Sequence, residues 1–153
     1  MVSRDRGAPI RLDAFRLARE RGVVQGSVDP HRLPRVQDLL TEDRASITWR
    51  IEGRSDLSGR PAMSIELNGA VTLTCQRCLD DLEFPIEQTT EVLLARDERE
   101  MAALDANSDA EVVLANGPID PLTLVEDELV LALPFAPRHP DGTCDSTMTT
   151  RRA

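Results

Sequence analysis

Between Met63 and Cys75 the chain alternates apolar and polar residues, and it keeps step across an Asn-Gly pair that would ordinarily turn it. Met63, Ile65, Leu67, Val71, Leu73 and Cys75 share one parity; Ser64, Glu66, Asn68, Thr72 and Thr74 share the other. A period of two marks a strand with one buried face. Asn68-Gly69 between apolar runs is the usual signal for a two-residue hairpin. Such a hairpin would match Leu67 with Ala70 and turn Val71 and Leu73 away from Ile65. One long strand keeps the apolar set together, with Gly69 as a bend or bulge that lets the strand curl.

Two neighbouring segments read the same way. Ala45, Ile47, Trp49 and Ile51 alternate with Ser46, Thr48 and Arg50, and Gly53 to Gly59 forms the turn that follows. Leu82 to about Leu94 sets Leu82, Phe84, Ile86, Val92 and Leu94 against Glu83, Glu87 and Glu91. Arg96 to Ser108 is polar and acidic, with a short helix around Met101 in an otherwise mobile connection. Glu111 to Ala115 is a fourth short strand. The expected fold class is α+β: a curled antiparallel β-meander of three to four strands packed by a C-terminal helix, with a short helical basic N-terminal arm.

Helix signals fall at three places. Asp13 caps a short helix with Phe15 and Ala18 on one face and Gly22 as its stop. A second begins at Asp29, with Pro30 at its first position and Leu33, Val36 and Leu40 at helical spacing. The third is the clearest, capped by Asp120, opened by Pro121 and closed by Pro134. Leu122, Val125, Leu129, Ala132 and Leu133 gather on one face of it. Leu124 and Leu131 lie on the other side, beside Asp127 and Glu128. That helix is either buried between layers or carries Leu124 and Leu131 as a docking patch rimmed by acid.

With 153 residues, the length suits a single domain (1–153): a basic arm (1–22), a globular body (23–144) and a flexible tail (145–153). The longest apolar run, Leu129 to Ala136, falls far short of the roughly 20 residues of a membrane span. The first 22 residues carry six arginines and three acids with no apolar block behind them, which is not a secretory signal. The expectation is a cytoplasmic protein without membrane contact. Charge is divided unevenly. Residues 1–60 hold twelve arginines against nine acids and residues 61–153 six against eighteen, for a net −9. Such an acidic body repels phosphate backbones, so any RNA contact must be local. Every basic residue is Arg, a side chain suited to bidentate phosphate or carboxylate contacts.

The chemistry-bearing side chains are few and grouped. Cys75-Gln76-Arg77-Cys78 lies at the junction of two strands, where a tight turn can aim two thiolates at one ion. His139 and Cys144 follow in the proline-rich loop beyond the last helix. Together they make a closed Cys₃His set with no open position for a catalytic water, so the expected cofactor is structural zinc. Two other readings stand beside it. Cys75 would be a small buried hydrophobe with Cys78 and Cys144 as idle thiols, or the CxxC pair would act in thiol redox or metal sensing, with Arg77 lowering a thiolate pKa. The sequence has no Gly-rich phosphate loop and no Gly-x-Ser-x-Gly, so no enzyme and no small-molecule substrate is expected. His31 reads as an exposed residue at a helix start. Glu126, Asp127 and Glu128 fan over successive helix positions and cannot converge on one ion.

Cys75-Gln76-Arg77-Cys78-Leu79, the segment Ile119-Asp120 through Leu124-Val125-Glu126-Asp127-Glu128-Leu129 to Pro134, and Pro137, His139 and Cys144 together carry a likeness. Over roughly residues 10 to 144 the sequence resembles the YceD family, the large ribosomal RNA subunit accumulation proteins. The resemblance implies a cytoplasmic factor without known catalysis, needed for normal accumulation of 23S ribosomal RNA. It also implies Cys75, Cys78, His139 and Cys144 as the metal-like positions. Family members often run on into a longer tail, so any contact made by that tail would be reduced here. The implied partner is ribosomal RNA or a large-subunit ribosomal protein. RNA would be met by Arg4, Arg6, Arg11, Arg16, Arg19 and Arg21, and a basic protein by the acidic body with Leu124, Asp127, Glu128 and Leu131. A protein-only adaptor acting indirectly on the RNA is the remaining alternative.

Overall fold

The computed structural model describes residues 11–41, 45–140 and Cys144. Arg4, Arg6 and the expected tail at 145–153 lie outside the described residues. In chain order the elements are α1 (Ala14–Glu20), β1 (Val23–Val28), a 3-10 turn (Pro30–Arg32), α2 (Pro34–Gln37), β2 (Ser46–Ser55), β3 (Pro61–Thr74), β4 (Asp81–Ala95), α3 (Glu98–Asn107), β5 (Glu111–Leu114) and α4 (Pro121–Ala132).

The sheet is open, with spatial order β1-β2-β3-β4-β5. It has five strands and is mixed, which corrects the expectation of three to four antiparallel strands. β1 to β4 pair antiparallel, whereas β5 runs parallel to β4. The parallel pair follows from α3, which carries the chain back only as far as Val92, so that β5 runs beside the last four residues of β4. β1 escapes notice in the sequence because Val23–Val28 lacks clean alternation. Its place beside β2 rests on Gly26, where a Cβ would come within 3.0 Å of the Trp49 ring.

β3 is one uninterrupted strand. Its register with β2 and with β4 carries no extra residue, so Gly69 marks a bend and not a bulge. That bend needs glycine: φ is 154°, and a Cβ would lie 2.6 Å from the Ser46 carbonyl oxygen. Ile47, Trp49, Ile51, Met63, Ile65, Leu67, Val71, Leu73, Val92 and Leu94 are buried in a main core with Ala18, Val36, Val125 and Leu129. The sheet's other face is covered locally by α3, whose Met101 and Leu104 pack on Ala62, Leu93, Ala95 and Val112. Asp97 caps α3 by accepting from the Glu100 amide (2.8 Å), and the Glu100 carboxylate takes the Arg96 amide (2.7 Å). This reciprocal pairing fixes the helix expected around Met101 and extends it to ten residues, Glu98–Asn107, across most of the expected mobile connection.

Two helix boundaries and one helix face differ from the sequence reading. Asp13 caps α1 through the Arg16 amide (3.2 Å), but the helix stops on Arg21 in the left-handed region (φ 54°), not on Gly22. The amides of Arg21 and Gly22 close back on the Ala18 and Leu17 carbonyls there. Leu12, Ala14 and Ala18 belong to the main core, so the segment from Leu12 onward is part of the packed body. Asp29 does cap a turn, but Pro34 holds Leu33 extended (φ −99°, ψ 113°) and splits the expected second helix in two. In α4 the buried stripe is Pro121, Leu124, Val125, Glu128 and Leu129, shifted from the expected one because the helix is wedged between the sheet and α2. No helix among the described residues is long and apolar enough to cross a membrane.

Candidate metal centre

The β3–β4 connection is a tight knuckle. The Cys75 amide donates to the Asp80 carbonyl (2.9 Å) and the Leu79 amide to the Cys75 carbonyl (2.8 Å), with Leu79 in the left-handed region at φ 62°. Cys75, the last residue of the inward-facing row, is fully buried, and Cys78 is nearly so. The loop beyond α4 docks on this knuckle: the Gln76 amide donates to the Pro137 carbonyl (2.7 Å), and the His139 amide points at Cys75 Sγ (3.4 Å).

Docking brings the four sequence-predicted residues together. Cys75, Cys78, His139 and Cys144 place one donor atom each within 4.8 Å of the others. Cys75 Sγ lies 3.8 Å from Cys144 Sγ. His139 Nδ1 lies 3.5 Å from Cys78 Sγ and 3.6 Å from Cys144 Sγ. Zinc bond lengths in a tetrahedron put sulfur pairs about 3.8 Å apart and sulfur–nitrogen pairs about 3.6 Å apart. These three edges match those values. His139 Nε2 lies 3.1 Å from the Asp81 carbonyl oxygen, an acceptor only, so Nε2 carries the proton and Nδ1 is left with its lone pair toward the thiols.

The thiol electrostatics fit a cation as well. Burial pushes the Cys75 thiol up, but the amides of Cys78, His139 and Arg77 outweigh it and bring it down to about 5. Cys144 is driven up to about 11, first by burial and then by the neighbouring Cys78 and Cys75. Protein groups alone therefore favour one thiolate and resist another beside it. A divalent ion removes that resistance. Such an ion would crosslink the strand turn to the C-terminal loop, and the closed set leaves it no open position.

The remaining predicted residues are distributed differently. Arg11, Arg16, Arg19 and Arg21 are exposed on and around α1, with Arg16 bonded to Glu20 (3.1 Å). Leu131 is exposed, but Leu124 and Glu128 are buried, at 5% and 3%, and so do not face a partner; this corrects the acid-rimmed patch. Asp127 pairs with the Arg35 guanidinium and Glu126 accepts from the Arg35 amide (2.7 Å), which ties α4 to α2. His31 is half-buried, not exposed: Nδ1 meets Asp29 Oδ1 at 2.8 Å and Nε2 meets the Thr41 carbonyl at 2.6 Å.

Glu128 is the residue the sequence reading placed wrongly. It faces β4 and β5, within reach of Gln88 Nε2 (3.4 Å). Burial raises its pKa to about 7; Thr90 pulls it back, and Glu111 adds to the rise. The signal was present in the run Glu126-Asp127-Glu128, because three successive positions on a packed helix cannot all reach water.

An open α+β sheet with a Cys₃His donor set pinched between a strand turn and a distant loop defines a small protein with one preformed metal-type centre. The chain belongs to the YceD family: the family model described as "Large ribosomal RNA subunit accumulation protein YceD" matches residues 63–152. That stretch runs from Met63 in β3 through α4 and includes all four donor residues. The family is described by RNA accumulation and not by a reaction. No solved structure matches the chain.

Proposed function

We propose that this protein is a non-enzymatic, cytoplasmic ribosome biogenesis factor that supports 23S ribosomal RNA accumulation and large-subunit assembly. Cys75, Cys78, His139 and Cys144 hold a structural zinc ion. Arg11, Arg16, Arg19 and Arg21 contact ribosomal RNA, and the acidic surface of the body meets a basic large-subunit ribosomal protein. The observation that carries the reading is the convergence of four donor atoms within 4.8 Å of one another inside the segment matched by the accumulation-factor family. The exposed row Glu83, Glu87 and Glu91 along β4 supports a basic protein partner.

The test has two arms. Metal analysis of the purified protein is expected to give one zinc per chain, lost in Cys78→Ser. Depleting the protein from cells is expected to lower 23S relative to 16S RNA, restored by the wild type and poorly by Cys78→Ser. Metal-free, reactive thiols would sink the zinc assignment; unchanged RNA ratios would sink the assembly role.

A further inference from the structure

Three stretches of chain far apart in sequence meet on the α1 side of the molecule. Leu12 and Ile119 exchange backbone hydrogen bonds (2.8 and 2.9 Å), setting the start of α1 against the segment that leads into α4. The Ala115 amide donates to the Ala95 carbonyl (2.8 Å), which brings Arg96 beside the turn after β5. Between them lies an open cleft of about 380 Å³ lined by Asp13, Phe15, Arg96, Asn116, Gly117 and Pro118. Its size falls within the roughly 300–1,000 Å³ range of small-ligand sites.

The wall of this cleft is a stack. The Arg96 guanidinium lies over the Phe15 ring, 4.7 Å from its centroid. Phe15 is half-buried and held by the core. The Arg96 side chain is 67% exposed and is engaged by Glu100 at 3.6 Å. A guanidinium backed by an aromatic ring is planar, cationic and held flat, which suits it to stack against another π-system. Asp13 uses Oδ1 to cap α1, so Oδ2 and the Asn116 amide are available to polar groups on a ligand's edge. A Cβ on Gly117 would meet nothing within 4 Å, so the space beside Gly117 is open. Arg11, two residues before Asp13, and Arg19, one helical turn beyond Phe15, are exposed and have no ion-pair partner among the described residues.

We propose that this cleft binds a nucleobase of single-stranded RNA, stacked on the Arg96–Phe15 pair with its phosphates toward Arg11 and Arg19. Duplex RNA does not fit, because its bases are already stacked. The assignment rests on the ribosomal RNA reading above and names the strand-binding site. A free nucleotide has the same chemistry but lacks the neighbouring phosphates.

Binding of a short fluorescent oligoadenylate is measured by anisotropy at two salt concentrations, with AMP and a duplex of equal charge as comparators. Arg96→Lys keeps the charge and removes the plane, so affinity is expected to fall roughly 5- to 100-fold with the salt slope unchanged. Phe15→Leu is expected to weaken binding in the same sense, and Arg96→Lys, at an exposed position, keeps the test valid if Phe15→Leu folds poorly. Unchanged affinity in Arg96→Lys, equal binding of the duplex, or AMP binding as tightly as the strand would overturn the site. If the site fails while zinc content and 23S restoration hold, the assembly role stands without it. If those fail while strand binding remains sensitive to Arg96, the cleft stands without the assembly role.

Discussion

Replacing Gly53 with alanine tests how α1, and the cleft wall it carries, is held. A Cβ at this position of β2 would lie 2.0 Å from the Leu17 carbonyl oxygen and 2.7 Å from Ala18 Cα. Both are backbone atoms, so no side chain can swing aside. Comfortable carbon contacts are about 3.5–4.0 Å, so the helix must withdraw by roughly 1.5 Å, enough to forfeit half or more of its dispersion contact. The buried methyls of Ala14 and Ala18 then lose most of their contact with the sheet, at about 0.8 kcal/mol each. Strain of the kind seen in overpacked cores adds about 1–3 kcal/mol. The lower entropy of the unfolded alanine chain returns about 0.4–1 kcal/mol. The expected net loss is about 2–4 kcal/mol. Gly117→Ala is the control, since a Cβ there meets nothing within 4 Å. Urea unfolding should separate the two by at least about 2 kcal/mol, and Gly53→Ala should also bind oligoadenylate less tightly because Phe15 moves with α1. Equal midpoints for the two variants would refute the close-approach reasoning.

Two further outcomes are expected. Glu128 has its folded pKa raised from 4.5 to about 7, so the native state binds the extra proton and stability falls as pH climbs through that window, then levels. Glu128→Gln should match the wild type near pH 5 and exceed it by roughly 1–3 kcal/mol near pH 8; parallel pH profiles would rule this out. For the metal centre, a structural-site free energy of about 10–16 kcal/mol against about 8 kcal/mol for 1 μM free ion leaves roughly 2–8 kcal/mol of added stability. Chelation should remove it, with acid aiding release as the thiolates regain protons. Identical urea curves for loaded and stripped protein would contradict the ligand set.

The sequence made the metal centre legible because thiols and imidazole in this spacing have few other uses, and the fold only had to close the loop. β3 was legible because parity across Asn68-Gly69 cannot be satisfied by a hairpin. What escaped depends on contacts between elements. β1 packs by omission, through a glycine opposite Trp49, and leaves no apolar pattern. α3 was expected only as a short helix around Met101, because two half-buried apolar side chains are too faint a stripe to show its full length. The face of α4 was misjudged because a carboxylate was assigned to water, whereas Glu128 lies against Gln88 and Glu111. His31 looked idle because its carbonyl partner is ten residues away.

The Leu12–Ile119 bridge ties an early part of the chain to a late one, and this has a consequence for synthesis. A nascent chain emerging from its own ribosome can lay down β1 to β4 in sequence, each strand waiting only for the next. α1 cannot find its full seat until Ile119 has cleared the exit tunnel. The cleft beside Phe15 is therefore completed only after β1 to β5 have all emerged, and a chain stopped short of Ile119 would lack the bridge that sets α1 against it.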